Sequence, residues 1–203
     1  MDGPIVYLVD DDQDVLNALQ RVLTYEGFRV SPNPSTQEFL EAYDSAVPGC
    51  IVLDIAMPSM SGLELQALLQ ARGIDCPVVF LTGHGDIPST VRAMKAGAVD
   101  FLTKPVDAEA LLDAVKREVA LDDAAHRTTV ERRNALALLA TLTPREREIV
   151  PHLLTGRLNK QIASDLGVAE KTIKVHRSRV MHKLGVRTPV ELLGFLERAG
   201  RHW

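Results

Sequence analysis

Cys50-Ile51-Val52-Leu53-Asp54-Ile55-Ala56-Met57-Pro58 is the stretch on which the fold turns. Four apolar residues lead straight into a carboxylate, and a proline follows four residues later. A short apolar run bounded by turn residues reads as a strand buried on both faces, the pattern of a parallel sheet covered by helices. Open α/β sheets hold ligands at the carboxyl ends of their strands, which is where Asp54 stands. A bare carboxylate is costly to bury there and needs a cation or a set of donors. The plainer reading of Asp54 is a strand-end residue that caps a turn. On this stretch alone the two readings stand side by side.

Outward from the run, the same pattern repeats. Ile5-Val6-Tyr7-Leu8-Val9 ends in Asp10-Asp11-Asp12, and Phe28-Arg29-Val30 opens a weaker strand. Pro77-Val78-Val79-Phe80-Leu81 ends in Thr82-Gly83-His84-Gly85, and Val99-Asp100-Phe101-Leu102-Thr103 ends in Lys104-Pro105. Apolar residues between these runs suit helices: Leu16, Leu19, Val22 and Leu23; Phe39, Leu40 and Tyr43; Leu63, Leu65, Leu68 and Leu69; and a short helix with Val91, Met94 and Lys95. Gly27 and Gly97 close the first and last of them. Strands alternating with helices predict βαβ crossovers and a parallel five-stranded sheet. All its strands point one way, so Asp10, Asp11, Asp54, Thr82 and Lys104 gather on one edge.

That set is chemically coherent. Carboxylates do not crowd together ionised without a cation. Mg²⁺ takes oxygen ligands, keeps several waters, and is held by a few carboxylates together with phosphate oxygens. The ion and the Lys104 ammonium would neutralise charge on a transferring phosphoryl group, with Asp54 as its acceptor. Each residue also has a plain reading: Asp12 as a helix N-cap, Thr82 as a turn residue, Lys104 as a surface lysine. Any one alone says little; their recurrence at the same ends of successive strands says more.

Bulk properties narrow the class. The chain of 203 residues is 46% hydrophobic, enough for one or two cores. No apolar run reaches membrane-spanning length, and the N-terminus lacks the basic segment of a secretory signal. Cys50 and Cys76 read as small buried hydrophobes in a reducing cytosol rather than a disulfide. The formal charge of −4 hides an asymmetry. Residues 143–203 hold 12 Lys+Arg and 6 Asp+Glu, a net of +6; residues 1–142 hold 11 and 21, a net of −10. An acidic front and a basic back predict two domains with different partners, the basic one facing a polyanion.

Residues 1 to about 120 resemble a response-regulator receiver domain of the CheY-like kind. The motifs are Val9-Asp10-Asp11, Leu53-Asp54, Met57-Pro58, Ser61-Gly62, Leu81-Thr82-Gly83 and Lys104-Pro105. Gly83-His84-Gly85-Asp86-Ile87-Pro88 with Ala93-Met94-Lys95-Ala96-Gly97-Ala98 is similar to the FixJ type. The resemblance implies Asp54 as phosphoacceptor, and Asp10, Asp11, Asp54 and the Ala56 carbonyl as ligands of Mg²⁺. It implies Thr82 and Phe101 as a switch pair and Lys104 as the phosphoryl partner. The implied fold is a flavodoxin-like (βα)5 receiver.

Between Pro105 and Pro144 lie 38 residues without Gly or Pro. Leu111, Leu112, Val115 and Val119 form an apolar face for the receiver's last helix. The stretches Asp122–Arg127 and Glu131–Arg133 are polar all round, and Leu136, Leu138, Leu139 and Leu142 restore apolar character. A solvated helical spacer and a flexible linker both fit residues 121–142. A continuous helix over all 38 residues would span about 57 Å.

The basic half opens on Thr143-Pro144-Arg145-Glu146, a capping box with proline at the first helical position. Pro151 inside that helix removes one hydrogen bond and predicts a kink. Helices over about 159–166 and 170–184, joined through Gly167-Val168, are a helix-turn-helix pattern, and Pro189 opens a last helix. The bland alternative is a small bundle with a solvated basic face. Leu142–Glu148, Asn159-Lys160-Gln161-Ile162-Ala163 and Lys171–Arg177 resemble the LuxR-type DNA-binding domain of FixJ and NarL regulators, an all-α four-helix module. The resemblance points to Lys174, Val175 and Ser178 for groove contacts, and to Lys160, Thr172, His176, Arg177 and Arg179 for backbone or supporting ones. Lys171 joins them on the free basic face. Glu170 puts an acid beside this face, although an acid also suits a helix N-terminus.

The expectation is therefore a receiver over 1–120, a linker over 121–142 and a LuxR-type helix-turn-helix domain over 143–203. It would be a cytoplasmic transcriptional response regulator, phosphorylated on Asp54 by a sensor histidine kinase with Mg²⁺. It would dimerise on phosphorylation and bind a two-fold site on double-stranded DNA, with RNA polymerase as a further candidate partner and no membrane partner. Slow self-dephosphorylation is implied, but no dedicated enzyme activity. Two rivals remain in view: a phosphorylation-independent DNA-binding regulator with a vestigial pocket, and an Asp-nucleophile phosphatase on a similar sheet.

Overall fold

The computed structural model describes residues 3–83 and 100–201. The chain divides into two compact units, Met1–His126 and Arg127–Trp203. In the first, β1 (Ile5–Val9), β2 (Arg29–Asn33), β3 (Gly49–Asp54), β4 (Val78–Thr82) and β5 (Asp100–Thr103) form one sheet. Its order is β2-β1-β3-β4-β5, and every neighbouring pair is parallel. β3 is central and buried along its whole length, as its unbroken apolar run requires.

Side chains alternate across the sheet, so each strand feeds two cores. Val6, Leu8, Val52 and Leu81 meet Leu16, Leu19 and Leu23 of α1 (Gln13–Tyr25) and Leu111, Val115 and Val119 of α4 (Ala108–Ala140). On the other face Tyr7, Val9, Ile51, Leu53 and Phe80 meet Phe39 of α2 (Thr36–Ala42) and Leu65 and Leu69 of α3 (Gly62–Ala71). The expected helix bearing Val91, Met94 and Lys95, and the FixJ-like run from His84 to Ala98, lie outside the described residues.

Local chemistry sets where helices begin. Asp12 accepts from the N–H groups of Asp14 and Val15 at 2.9 and 3.4 Å and caps α1. Ser61 and Glu64 form a capping box that starts α3 directly after the Asp54 loop. Gly49 has no room for a side chain, because a Cβ there would stand 2.0 Å from the Ile5 carbonyl oxygen.

The second unit contains α5 (Pro144–Leu154), α6 (Asn159–Leu166), α7 (Glu170–Lys183) and α8 (Pro189–Arg198). Ala135 and Leu139 from the C-terminal part of α4 join Ile149, Val150, Leu153, Ile162, Ile173, Val180, Leu192 and Leu196 in one core. The Thr143–Glu146 capping box is present, with Pro144 in the first turn, and α5 continues through Pro151 to Leu154. Gly167 ends α6 at φ +64°, a left-handed conformation that glycine adopts without strain.

Two features depart from the sequence expectation. Cys76 is only partly buried, unlike Cys50, although both are free thiols. Asp122 is half-buried rather than solvated: its carboxylate accepts from the Gly49 N–H at 2.8 Å. Among the described residues, no helix is long and apolar enough to cross a membrane.

Candidate functional site

The carboxyl edge of the sheet assembles the acidic set. Asp10 follows β1, Asp54 ends β3, Thr82 ends β4 and Lys104 follows β5. Parallel register brings the strand ends level: Asp54 pairs with Leu81, and Thr82 with Thr103. Oxygens of Asp10, Asp11 and Asp54 lie within 4.8 Å of one another, Asp10 and Asp54 buried and Asp11 exposed. Lys104 Nζ stands 2.6 Å from Asp10 Oδ2 and 3.2 Å from Asp54 Oδ1. The first is a charge contact off the direction of a hydrogen bond, and that buried Oδ2 has no other donor. Asp10 Oδ1 accepts from the Asp12 N–H at 3.0 Å.

Electrostatics follow from this crowding. Burial raises the Asp54 pKa; the Lys104 charge lowers it, the Asp10 charge raises it, and the Ala56 N–H lowers it, leaving it above the usual carboxylate value. Burial opposes the Lys104 charge, but the close contact with Asp10 and the charges of Asp10 and Asp54 outweigh it and raise the lysine's pKa. Three carboxylates supply hard oxygen donors, and one of them, Asp10, has a buried oxygen that accepts no hydrogen bond; the residues fit Mg²⁺.

Gly62 is the residue whose part here is spatial. A Cβ on it would stand 2.4 Å from the Asp54 carbonyl oxygen, so only glycine lets α3 start this close to the acid. Thr82 is buried, and its hydroxyl donates to the Gly83 carbonyl at 3.1 Å. Phe101 is half-buried and stacks on Phe80, with ring centroids 5.5 Å apart.

The second candidate surface is α7. Ile173 and Val180 anchor it in the core, at 1% and 0% exposure. Lys171, Thr172, Lys174, Val175, Ser178 and Arg179 are exposed, His176 and Arg177 are half-buried, and Lys160 is exposed on α6. Among the described residues, no ion pair takes up Lys171, Lys174, Arg177 or Arg179, which leaves their charge for an external polyanion. Lys183 is different: it donates to Glu146 Oε2 at 2.7 Å and to the Thr141 carbonyl at 3.0 Å. Sequence reading missed this brace, because its partners stand 37 and 42 residues away.

Sheet, acidic edge and braced basic helix together define a CheY-like receiver joined to a helix-turn-helix module. The receiver-domain family of response regulators matches residues 6–116, and the luxR family of bacterial regulatory proteins matches residues 140–195. The chain belongs to the response regulators with a LuxR-type domain and is a DNA-binding transcriptional regulator of a two-component system. Nodulation protein W of Bradyrhizobium diazoefficiens is 40% identical over 97% of this chain and 86% of its own length. Transcriptional regulatory protein FixJ of Azorhizobium caulinodans is 40% identical over 96% and 92%. The solved structure of the response regulator StyR, 43% identical, covers 97% of this chain and 99% of that one with a TM-score of 0.89.

Proposed function

We propose that Asp54 takes a phosphoryl group from a phosphohistidine of a sensor kinase and that this event controls DNA binding by α7. The observation that carries the reading is the convergence of Asp10, Asp11, Asp54 and Lys104 on one sheet edge, in a chain that also bears a helix with an exposed basic face. An Asp54 oxygen attacks phosphorus, the phosphorus–nitrogen bond breaks, and the electron pair leaves with the imidazole. Asp10, Asp11, Asp54 and the Ala56 carbonyl would hold Mg²⁺, which supplies positive charge for the phosphoryl oxygens when bound. Lys104 supplies a second cation from the protein itself. Thr82 then turns from Gly83 toward the phosphoryl group, and Phe101 follows. Slow self-dephosphorylation completes the cycle, without a dedicated enzyme activity.

The working division is a receiver over 1–120, a linker over 121–142 and a DNA-binding domain over 143–203. Lys174, Val175 and Ser178 reach base edges in the major groove. Lys160, Lys171, Thr172, His176, Arg177 and Arg179 hold the backbone or support the helix. The phosphorylated protein pairs on a two-fold site, with RNA polymerase as a downstream partner, in the cytoplasm where DNA is found.

The test is phosphorylation by a small acyl phosphate with Mg²⁺, followed by selection of DNA with the full chain. Asp54→Asn should abolish the base-labile label and the phosphorylation-dependent gain in binding. Full labelling of that variant would reject Asp54. Labelling of the wild type with no change in DNA binding would instead favour a phosphorylation-independent regulator.

A further inference from the structure

Asp122 lies far from the acidic edge, at the opposite end of the strand that carries Asp54. Gly49 is the first residue of β3 and Asp54 the last. The Gly49 N–H donates to Asp122 Oδ2 at 2.8 Å, and the Gly49 carbonyl accepts from Cys76 Sγ at 3.8 Å. Both backbone groups that begin the central strand are thus held by side chains. The glycine is obligatory, since a Cβ would stand 2.0 Å from the Ile5 carbonyl oxygen.

The acid is equally particular. Val119 is the last residue of α4 in the receiver core, and Ala135 is the first in the core of the second unit. Between them Leu121 is 61% exposed, and Asp122 reaches back to the sheet. Burial raises the Asp122 pKa; the Gly49 hydrogen bond and the His126 charge lower it, Asp75 and Asp123 raise it, and the net direction is up. A carboxylate is a costly way to satisfy one N–H at a partly buried position, where an exposed polar spacer residue would carry no such penalty.

We propose that Asp122 is a positioning residue, a latch by which the phosphoacceptor strand holds the connector helix and through which phosphorylation is felt downstream. β3 is hydrogen-bonded on both sides, to β1 and to β4, so Asp54 and Gly49 are the two ends of one continuous braced strand. A shift that follows phosphorylation of Asp54 would pass along this strand to Gly49 and to its hydrogen bond with Asp122. The segment has two states, docked and released, and phosphorylation biases between them. This inference rests on the reading of Asp54 as phosphoacceptor. A purely structural role for Asp122 would alter stability and leave the response to phosphorylation untouched.

The test uses the full chain as wild type, Asp122→Ala and Asp122→Asn. Affinity for a selected paired DNA site is measured with and without acetyl phosphate and Mg²⁺, together with the label on Asp54 and amide exchange over residues 119–126. All three proteins should label equally, because Asp122 is not part of the acidic edge. The ratio of affinities with and without phosphorylation should fall in Asp122→Ala by about 5-fold or more, the lower range of allosteric couplings. Asp122→Asn keeps an oxygen acceptor in place and should restore most of the ratio. Alanine favours a helix more than aspartate, so faster exchange in Asp122→Ala reports the lost latch rather than a poor helix former. An unchanged ratio in Asp122→Ala, with a responsive wild type, overturns the latch. Failure of Asp122→Asn to restore the ratio overturns the role of the hydrogen bond. A wild type that labels but does not respond overturns the phosphorylation reading, and the coupling role with it.

Discussion

Asp54 is held between opposing effects, and their balance has measurable consequences. Its raised pKa means that folding favours the protonated acid. The stability contributed in that form is fully present below the ordinary aspartate value of about 3.9 and is lost as pH rises through the folded value. At neutral pH the ionised group therefore strains the receiver. Asp54→Asn should stabilise it and raise the Tm of the receiver, by calorimetry without Mg²⁺. A lower Tm would mean that Lys104 depends on the Asp54 charge more than the carboxylate suffers from burial. Gly62→Ala tests the backbone beside it. With 2.4 Å available to the Asp54 carbonyl, the added methyl must push the loop. A loss of about 1–3 kcal/mol is expected, with slower labelling of Asp54.

At the scale of elements, the recognition helix depends on a brace that is not itself a DNA contact. Glu146 is 2% exposed, closes the capping box of α5, and receives Lys183 from α7. The Lys183 hydrogen bond, with the Thr143 N–H, lowers its pKa to about 2. Stability from this group is fully present above the ordinary glutamate value of about 4.3 and is lost as pH falls toward the folded value. Glu146→Gln should cost about 2 kcal/mol in denaturant unfolding at neutral pH, the loss of charge-assisted hydrogen bonds. The penalty should shrink below about pH 4 as the wild-type acid protonates. The exposed face of α7 makes a separate prediction. Arg179→Ala should weaken binding to all sequences alike and reduce the slope of log K against log salt by about 0.9. Lys174→Ala should relax base preference; an equal loss on every sequence would remove it from the groove.

For the whole molecule, charge and valence matter more than any one bond. Residues 1–142 carry −10 and residues 143–203 carry +6, an attraction that salt screens over about 8 Å at physiological strength. Control by dimerisation needs no masking of α7: two weak DNA-binding domains become one bivalent ligand at high effective concentration. Phosphorylation should then raise the dimer fraction and the affinity for a paired site together, while affinity for an isolated half-site stays nearly constant. Sedimentation and binding titrations on the same preparations check this. A half-site affinity that rises as much as the paired-site affinity would point to unmasking instead.

What the sequence determined by itself was local. Apolar runs ending in Asp10, Asp54, Thr82 and Lys104 placed the strands and their functional edge, because burial on both faces leaves an unbroken apolar signature. Thr143 with Glu146 and Gly167 marked helix ends, because caps act within three or four residues. Motif resemblance supplied the assignment of roles around Asp54. Only the tertiary structure decided which distant groups meet. Asp122 read as a solvated spacer residue, yet it holds Gly49 across 73 positions, and Lys183, which no sequence pattern singled out, braces Glu146 across 37. Nothing in the residue type or spacing announces such pairs. A carboxylate or an ammonium suits solvent equally well, until packing of the sheet and helices places a buried N–H or a buried acid within its reach.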